Sequence, residues 1–342
     1  MGATLAMLLA TPAYAKANSF AQKDGADHLL AFLTEAEDLK EAPRQGAFGM
    51  PNTGLVYSVQ REPSGQMRMR FEGQGERTYH IPLSLPAGPR DKVSAWPLYV
   101  QLHAQTAEGG HIFLLGVVRT GRQAYSGGGA TDSWLHLFRV ENPGSDQGRA
   151  REVLVLPLAG DKVIRACFNA RDETARRGAC HDGYKYEAFL RLDERNRTAW
   201  PVLIYQSKAS ASLGPLARPG TMPDRPLTRE KLAEKEDLTC TFRRTLRFNP
   251  MSRRYEMESP GPDCTDYFLP GPDSSVGLCR KSAVSALVGQ SRINDRAATE
   301  FTGAGIVRQI RPGDAVTEDS RRERVTIETD PASGKIVRAW CG

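Results

Sequence analysis

The sequence lacks the motifs that would assign it to most enzyme and nucleic-acid-binding classes. None of its cysteines forms a C-x-x-C pair, which argues against zinc ligation and thioredoxin-like redox chemistry. It contains no G-x-S-x-G nucleophile motif and no internal repeat of fixed period. The 342 residues carry a formal net charge of +6, but Lys and Arg are not gathered into one stripe or tail, as nucleic-acid binders usually show. The sequence therefore predicts no enzyme activity, no cofactor, no metal site and no nucleic-acid partner.

Long apolar runs are also scarce. Leu5 to Ala10 forms one short apolar segment, and Ala13-Tyr14-Ala15 after it fits the small-x-small rule for signal cleavage. Residues 1–15 are therefore interpreted as a signal peptide, although no Lys or Arg precedes Leu5, and a frayed apolar N-terminus is the alternative. This segment is too short to span a bilayer as a helix, and no later run is apolar enough for a membrane span. We expect a periplasmic or secreted protein.

The cysteine count agrees with export. There are six cysteines, an even number, which allows fifteen pairings. Pairing sequence neighbours joins Cys167 to Cys180 and Cys240 to Cys264, and leaves Cys279 and Cys341 to close the C-terminal region. A set of structural disulfides is typical of proteins in an oxidising compartment.

Most of the chain has the alternation of β-strands. Gln66 to Phe71 alternates apolar with polar or basic residues, as a half-buried strand does. Further strands are predicted at Trp96–Leu102, His111–Val118, Trp134–Val140, Val153–Leu158, Tyr186–Leu192, Val202–Tyr205, Thr241–Phe248 and Arg254–Met257. Short strands with Gly- and Pro-rich turns predict a mostly β domain over 16–258, and leave a sandwich, a barrel or a propeller open.

Two segments of this region, and the segment that follows it, are not predicted to be strands. Asp27 to Leu39 has the apolar spacing of a short amphipathic helix, and a second short helix is expected after Thr228. Prolines and glycines dominate 259–276, which is typical of an extended linker.

The last region, 277–342, reads as a small α+β domain. Ala283, Val284, Leu287 and Val288 share one face of a predicted helix, and Ile293 to Phe301 is a second helical stretch. Strands are predicted at Ile306–Ile310, Arg324–Glu328 and Lys335–Trp340, and the polar stretch Asp314–Glu323 is predicted to be an exposed loop. So small a domain buries little surface, and a Cys279–Cys341 bridge would stabilise it by about 4 kcal/mol in the chain-entropy model.

Several short motifs of this region occur in the order and spacing of a known family. They are Leu287-Val288-Gly289-Gln290, Arg308-Gln309-Ile310-Arg311-Pro312-Gly313, Val316-Thr317-Glu318-Asp319, Arg324-Val325 and Cys341-Gly342. In these motifs the region resembles the small secreted peptidase-inhibitor family numbered seventy-eight, which is related in fold to potato inhibitor I and eglin. The resemblance covers about the last fifth of the chain and says nothing about residues 16–270.

The resemblance implies a substrate-like inhibitory loop that binds a serine peptidase as an added extended strand. It assigns the loop to Val316, Thr317, Glu318 and Asp319, with Glu318 entering the primary specificity pocket. It also implies that arginines hold the loop from below. Arg324 matches one supporting position, whereas Thr326 stands at the second, which leaves Arg321 or Arg322 as a substitute.

Glu318 bears on the choice of target. An unpaired carboxylate is costly in an apolar pocket, so a pocket with basic or histidine residues fits it better. The expected partner is therefore a serine peptidase, with a glutamyl-specific one as the best fit.

Two other hypotheses are weaker. The chain could be an exported binding or scaffold protein in which the inhibitor fold is only a packed module. An envelope hydrolase using His181 and Asp182 would need a nucleophile motif that is missing, so a disulfide-anchored turn is favoured there. Ser126-Gly127-Gly128-Gly129 is glycine-rich but has no phosphate-binding pattern, which favours a hairpin loop.

Overall fold

The computed structural model describes residues 20–35, 46–51, 53–73, 77–88, 90–105, 111–125, 128–167, 170–212, 228, 230, 233–269, 279–304, 306–314, 316 and 324–342. The chain divides into two compact units. The first, here called the β-unit, comprises Met1–Gln123 and Ala130–Phe268. The second, here called the C-terminal unit, comprises Ala124–Gly129 and Leu269–Gly342.

An eleven-stranded sheet is the main element of the β-unit within the described residues. Its strands are β1 (Ala21–Lys23), β2 (Leu29–Phe32), β8 (Lys92–Gln105), β9 (His111–Tyr125), β10 (Gly128–Glu141), β11 (Arg149–Arg165), β12 (His181–Leu192), β13 (Leu203–Ser212), β14 (Lys235–Glu236), β15 (Arg243–Asn249) and β16 (Arg254–Met257). They are hydrogen-bonded in the order β1-β2-β8-β9-β10-β11-β12-β13-β15-β16, and β14 pairs with β13 as a branch.

A second sheet of five antiparallel strands packs against the first. It is ordered β3 (Thr34–Glu35), β4 (Phe48–Met50), β5 (Leu55–Arg61), β6 (Met67–Glu72) and β7 (Thr78–Leu83). The fold is thus two sheets packed face to face rather than a ring of equal blades. This agrees with a mostly β domain.

Strand β9 shows how the sequence pattern produces two cores. Ile112 and Leu114 belong to one buried cluster, whereas Phe113 and Leu115 belong to another, which Tyr57 and Phe71 of the small sheet share. Because successive side chains of a strand point to opposite faces, a strand buried on both faces is a continuous apolar run. This explains why the segment starting at His111 has no polar alternation in its first half.

The large sheet folds over on itself, so strands that are distant in the sheet meet. The side-chain Oε1 of Gln22 on β1 accepts a hydrogen bond from the main-chain N of Leu192 on β12, at 3.2 Å. Tyr255 on β16 is buried and donates to the carbonyl of Pro201 at 3.0 Å. These contacts enclose the first core between distant parts of one sheet.

The helix predicted over Asp27–Leu39 is wrong. Leu29–Phe32 is strand β2, which pairs with Leu98–Gln101 of β8, and residues 36–39 lie outside the described part of the chain. Asp24 forms the preceding turn by accepting from the main-chain N of His28 at 3.0 Å, and Asp27 has a positive φ of 61°. An available strand partner and this turn outweigh a weak helical periodicity, as tertiary context often does.

The predicted linker, 259–276, begins later than its composition indicates. Cys264, Tyr267 and Phe268 are buried in the core of the large sheet, and Tyr267 closes a 3₁₀ turn at Thr265–Tyr267. Aromatic burial therefore keeps the segment up to Phe268 in the β-unit. Of the short helix predicted after Thr228, Glu230 is described and is helical, whereas residues 229, 231 and 232 lie outside the described residues.

Three disulfides close the chain, and they are the pairs that sequence-neighbour pairing predicts. Cys167 is joined to Cys180, Cys240 to Cys264, and Cys279 to Cys341. The first closes a connection that contains helix α1 (Ala170–Ala175), and the third spans 62 residues of the C-terminal unit.

Within its described residues, the C-terminal unit has two short helices and a three-stranded sheet. These are α2 (Lys281–Ser285), α3 (Asp295–Thr302), β17 (Ile306–Ile310), β18 (Arg324–Thr329) and β19 (Ile336–Cys341). The central strand, β18, is parallel to β17 and antiparallel to β19. Val284, Leu287, Val325 and Ile327 are in its core, whereas Val288, predicted on the buried face, is 49% exposed. The turn after α2 ends the helix before Val288.

Candidate functional site

The candidate inhibitory loop connects the parallel strands β17 and β18. Its first residues form a tight turn in which the main-chain N of Arg311 donates to the Asp314 carboxylate at 2.8 Å. The main-chain N of Asp314 donates back to the Arg311 carbonyl at 3.1 Å, and Gly313 provides the required positive φ of 88°. These paired bonds hold one end of the loop at the edge of the sheet.

Beyond this turn, the loop is described at one position. Val316 is 39% exposed, which suits a residue that contacts another protein. Thr317, Glu318, Asp319 and the supporting candidate Arg321 lie outside the described residues.

The other end of the loop leads into Arg324, the first residue of β18. Its side chain is 6% exposed, and its Nε donates to the main-chain oxygen of Gly342 at 2.9 Å. The main-chain N of Gly342 donates in return to the carbonyl of Arg324, also at 2.9 Å. A buried arginine held by reciprocal bonds is a rigid base for the chain that precedes it.

Thr326 extends this base and explains the departure noted in the sequence. It is fully buried, donates from Oγ1 to the Gly342 oxygen at 2.8 Å, and accepts from Arg308 Nε at 3.0 Å. Arg308 pairs with Thr326 in the parallel register of β17 and β18. The guanidinium of Arg308 on β17 therefore lies beside Thr326, which stands where the resemblance leads us to expect a second supporting arginine.

Sequence reasoning missed Arg308 and Gly342 as members of this base. Both residues belong to the motifs of the family resemblance. Their role could not be seen there, because only the parallel pairing of β17 with β18 brings Arg308 beside Thr326. We refer to Arg308, Arg324, Thr326 and Gly342 together as the loop base.

The loop base is attached to a cross-linked core. Cys341 of β19 precedes Gly342, and its disulfide to Cys279 has a Cα–Cα distance of 5.6 Å. Asn294 caps α3 by accepting from the main-chain N of Ala297 at 2.8 Å, and Gly303 ends that helix in the left-handed conformation. The disulfide therefore ties the C-terminal end of the loop base to the segment before α2.

In the weaker candidate at Cys180-His181-Asp182, the last two residues begin strand β12 and pair with β11, so they do not form the turn that the sequence favoured, although Cys180 is disulfide-bonded to Cys167. Asp182 is buried and forms an ion pair with Arg176, whose Nε donates to the carbonyl of Ala179 at 3.0 Å. Burial raises the pKa of Asp182 more than Arg176 lowers it. The carboxylate is therefore engaged by arginine rather than oriented towards a catalytic histidine.

The glycine-rich segment lies between neighbouring strands. Ser126 and Gly127 lie outside the described residues, and Gly128 and Gly129 begin β10, which is hydrogen-bonded to β9.

The described part of the chain shows neither a metal-binding cluster nor a membrane-spanning helix. No group of three or more His, Cys, Asp or Glu side chains there is arranged to hold a metal ion. Among the helices that the model describes, none is long and apolar enough to cross a membrane.

The C-terminal unit thus joins two parallel strands through the segment 311–323 and is closed by the Cys279–Cys341 disulfide. Residues 279–342 match the model of the Peptidase inhibitor I78 family, which confirms the resemblance seen in the motifs. The match associates the C-terminal region with peptidase inhibition rather than catalysis, and implies a peptidase partner. No curated protein and no solved structure matches the chain. The three disulfides and the family are consistent with an extracellular protein.

Proposed function

We propose that this protein is an exported inhibitor of serine peptidases, and that it acts through Val316, Thr317, Glu318 and Asp319. The observation that supports the proposal is the loop base, which lies on β17, β18 and the C-terminal residue, the two strands being those that the proposed loop connects. Export rests on the apolar segment Leu5–Ala10 and the Ala13-Tyr14-Ala15 cleavage pattern.

Inhibition by a substrate-like loop requires that the loop bind well and be cut slowly. An extended loop can add to the peptidase as a strand, with its side chains filling successive pockets. Pre-organisation lowers the entropy lost on binding, so a rigid loop binds more tightly than a flexible peptide of the same sequence. The peptide bond to be cut would be the one between Glu318 and Asp319. The bonds of Arg324 and Thr326 to Gly342 supply rigidity on the C-terminal side of that bond.

The proposed target follows from Glu318, whose side chain enters the primary pocket. A glutamate is favoured there if the peptidase provides a positive or hydrogen-bonding group to meet the carboxylate, and it is disfavoured in an apolar pocket. A glutamyl-specific serine peptidase is therefore the proposed partner.

The test is a titration of the whole chain against glutamyl-, chymotrypsin-, elastase- and trypsin-type serine peptidases. We expect stoichiometric inhibition of the glutamyl-specific enzyme, with the loop intact on gel and mass analysis. Glu318→Gln should abolish most of it, whereas Glu236→Gln, an exposed glutamate on β14, should leave it unchanged.

Two outcomes would contradict the proposal. Turnover of the loop as an ordinary substrate would show that the loop base does not resist cleavage. A complete lack of interaction with all four enzymes would favour the alternative, an exported binding or scaffold protein that keeps the inhibitor fold as a module.

A further inference from the structure

The β-unit contains an arginine-lined groove of about 500 Å³ at one end of the large sheet. Its walls come from β7, β10, β11 and the turn between β15 and β16. They comprise Ile81, Pro82, Arg139, Glu141, Gly148, Arg149, Ala150, Arg151, Val153, Phe248 and Arg253. With four arginines and one glutamate, the lining carries a formal charge of +3, half of the +6 of the whole chain. The basic residues form no cluster in the sequence, but the fold brings four arginines together at this groove.

One of these arginines is held in a fixed orientation. Arg139 Nη2 lies 2.5 Å from Glu141 Oε1, and its Cζ lies 5.2 Å from the centre of the Trp200 ring. Trp200 in turn stacks on Phe248, with 3.5 Å between ring centres. An aromatic pair beneath a guanidinium fixes its plane, and a planar guanidinium binds carboxylate or phosphate groups in two-pronged fashion.

Arg149 and Arg151 supply further positive charge to the groove. They lie two residues apart on β11, so their side chains project from the same face of that strand. Both are exposed, and neither forms an ion pair with a described residue.

Arg253 contributes a fourth guanidinium to the groove. It occupies the turn between β15 and β16 with a φ of 55°, the left-handed region that glycine adopts without cost. Longer side chains are strained in this conformation, and turns of this kind usually have Gly, Asn or Asp there. The sequence instead has an arginine that lines the groove. Arg253 therefore reaches the groove from a backbone conformation that a glycine would adopt at lower cost.

We infer that this groove binds a small soluble polyanion, a molecule with at least two phosphate or carboxylate groups. Its size suits a compact ligand rather than a polymer, since small-molecule sites generally have volumes of several hundred Å³. Arg139 orients one anionic group, and Arg149, Arg151 and Arg253 neutralise the rest. All of the lining residues belong to the β-unit and none belongs to the inhibitory loop, so the two activities can be tested with separate variants.

Isothermal titration calorimetry with pyrophosphate and with citrate tests this inference on the whole chain. We expect saturable binding of at least one probe that weakens as salt is added. Arg149→Gln combined with Arg151→Gln should weaken it at least tenfold or so, because charge-assisted hydrogen bonds are lost. The matched control, Arg243→Gln, changes an exposed arginine on β15 and should alter binding less than about twofold.

A second variant separates binding from folding. Arg253→Gly removes the strain at this turn, so its thermal midpoint should be equal to or above that of the native protein, while its affinity for the probe falls. Equal weakening by Arg243→Gln, or no binding of either probe to the native protein, would overturn the inference. Binding to phosphatidylcholine vesicles containing phosphatidylglycerol, without binding of pyrophosphate or citrate, would also overturn it and would assign the surface to a membrane.

Discussion

Arg254 on β16 donates from Nη2 to Oε1 of Glu152 on β11, at 3.0 Å, although these strands are not neighbours in the sheet. The other carboxylate oxygen of Glu152 lies 2.8 Å from Nδ1 of His136 on β10. Glu152 therefore links the folded-over end of the large sheet to its middle.

The first prediction concerns the pH dependence of this link. Burial alone would raise the pKa of Glu152, but the bonds to His136 and Arg254 outweigh it and lower the pKa below its ordinary value of 4.5. A lowered pKa in the folded state means that the stabilisation is present above the ordinary value and is lost as the pH falls through the folded value. Glu152→Gln should thus lower the free energy of unfolding by about 1 kcal/mol at neutral pH, and by less at about pH 3. A difference that does not change with pH would contradict this assignment.

The second prediction tests the packing of the segment that ends the β-unit. A Cβ added to Gly160 on β11 would lie 2.4 Å from the carbonyl oxygen of Tyr267, which is closer than real contacts allow. Gly160→Ala should cost about 1–3 kcal/mol of stability, as overpacking does. Gly49→Ala is the control, because the added Cβ would lie 3.7 Å from its nearest neighbour, the carbonyl of Thr34. Equal thermal midpoints for both variants would mean that Tyr267 is not packed on β11.

The third prediction concerns the bridge that closes the C-terminal unit. Replacing Cys279 and Cys341 by serine should destabilise this unit by about 4 kcal/mol, since the bridge closes a long loop. Hydrogen exchange of the buried Val325 and Ile327 amides should then become faster. The Cys167 and Cys180 double variant is the control, since its bridge has a separation of 13 residues and lies in the β-unit. Unchanged exchange in β18 would show that the core holds without the bridge.

The fourth prediction addresses the loop base and rests on the proposed inhibition. Arg324→Gln removes a buried guanidinium that donates to Gly342, so the loop should be cleaved faster by the target peptidase, by about tenfold or more. Arg338→Gln is the control, because that side chain is 68% exposed on the same sheet and pairs weakly with Glu328 at 3.5 Å. Cleavage rates can be followed by mass spectrometry. If both variants are cut at the native rate, Arg324 does not support the loop.

Strand β18 shows how far sequence patterns reach. The alternation of Arg324 to Glu328 predicts one buried face, formed by Val325 and Ile327, and both are fully buried. Thr326, on the opposite face, is also fully buried. The alternation of a single strand cannot reveal this, because Thr326 is covered by Arg308 of the parallel neighbour and held by Gly342.

The error at Asp27–Leu39 has the same origin. Apolar residues at helical spacing are weak evidence over so short a segment, and Leu29–Phe32 becomes a strand because Leu98–Gln101 is available to pair with it. Segments with strong alternation or long apolar runs, such as the one starting at His111, need no such partner information to be identified as strands.

By itself, the amino-acid sequence determined the properties that depend on local order. These are the β-rich character, the even set of cysteines from which neighbour pairing predicts the three disulfides, and the motifs that identify the C-terminal region. Only the tertiary structure decided which strands meet, because pairing joins residues that are distant along the chain. The Arg254–Glu152 link, the loop base and the concentration of arginines in one groove all arise in this way. The arginines are spread along the sequence, and they come together at the groove because strands from four parts of the chain converge there.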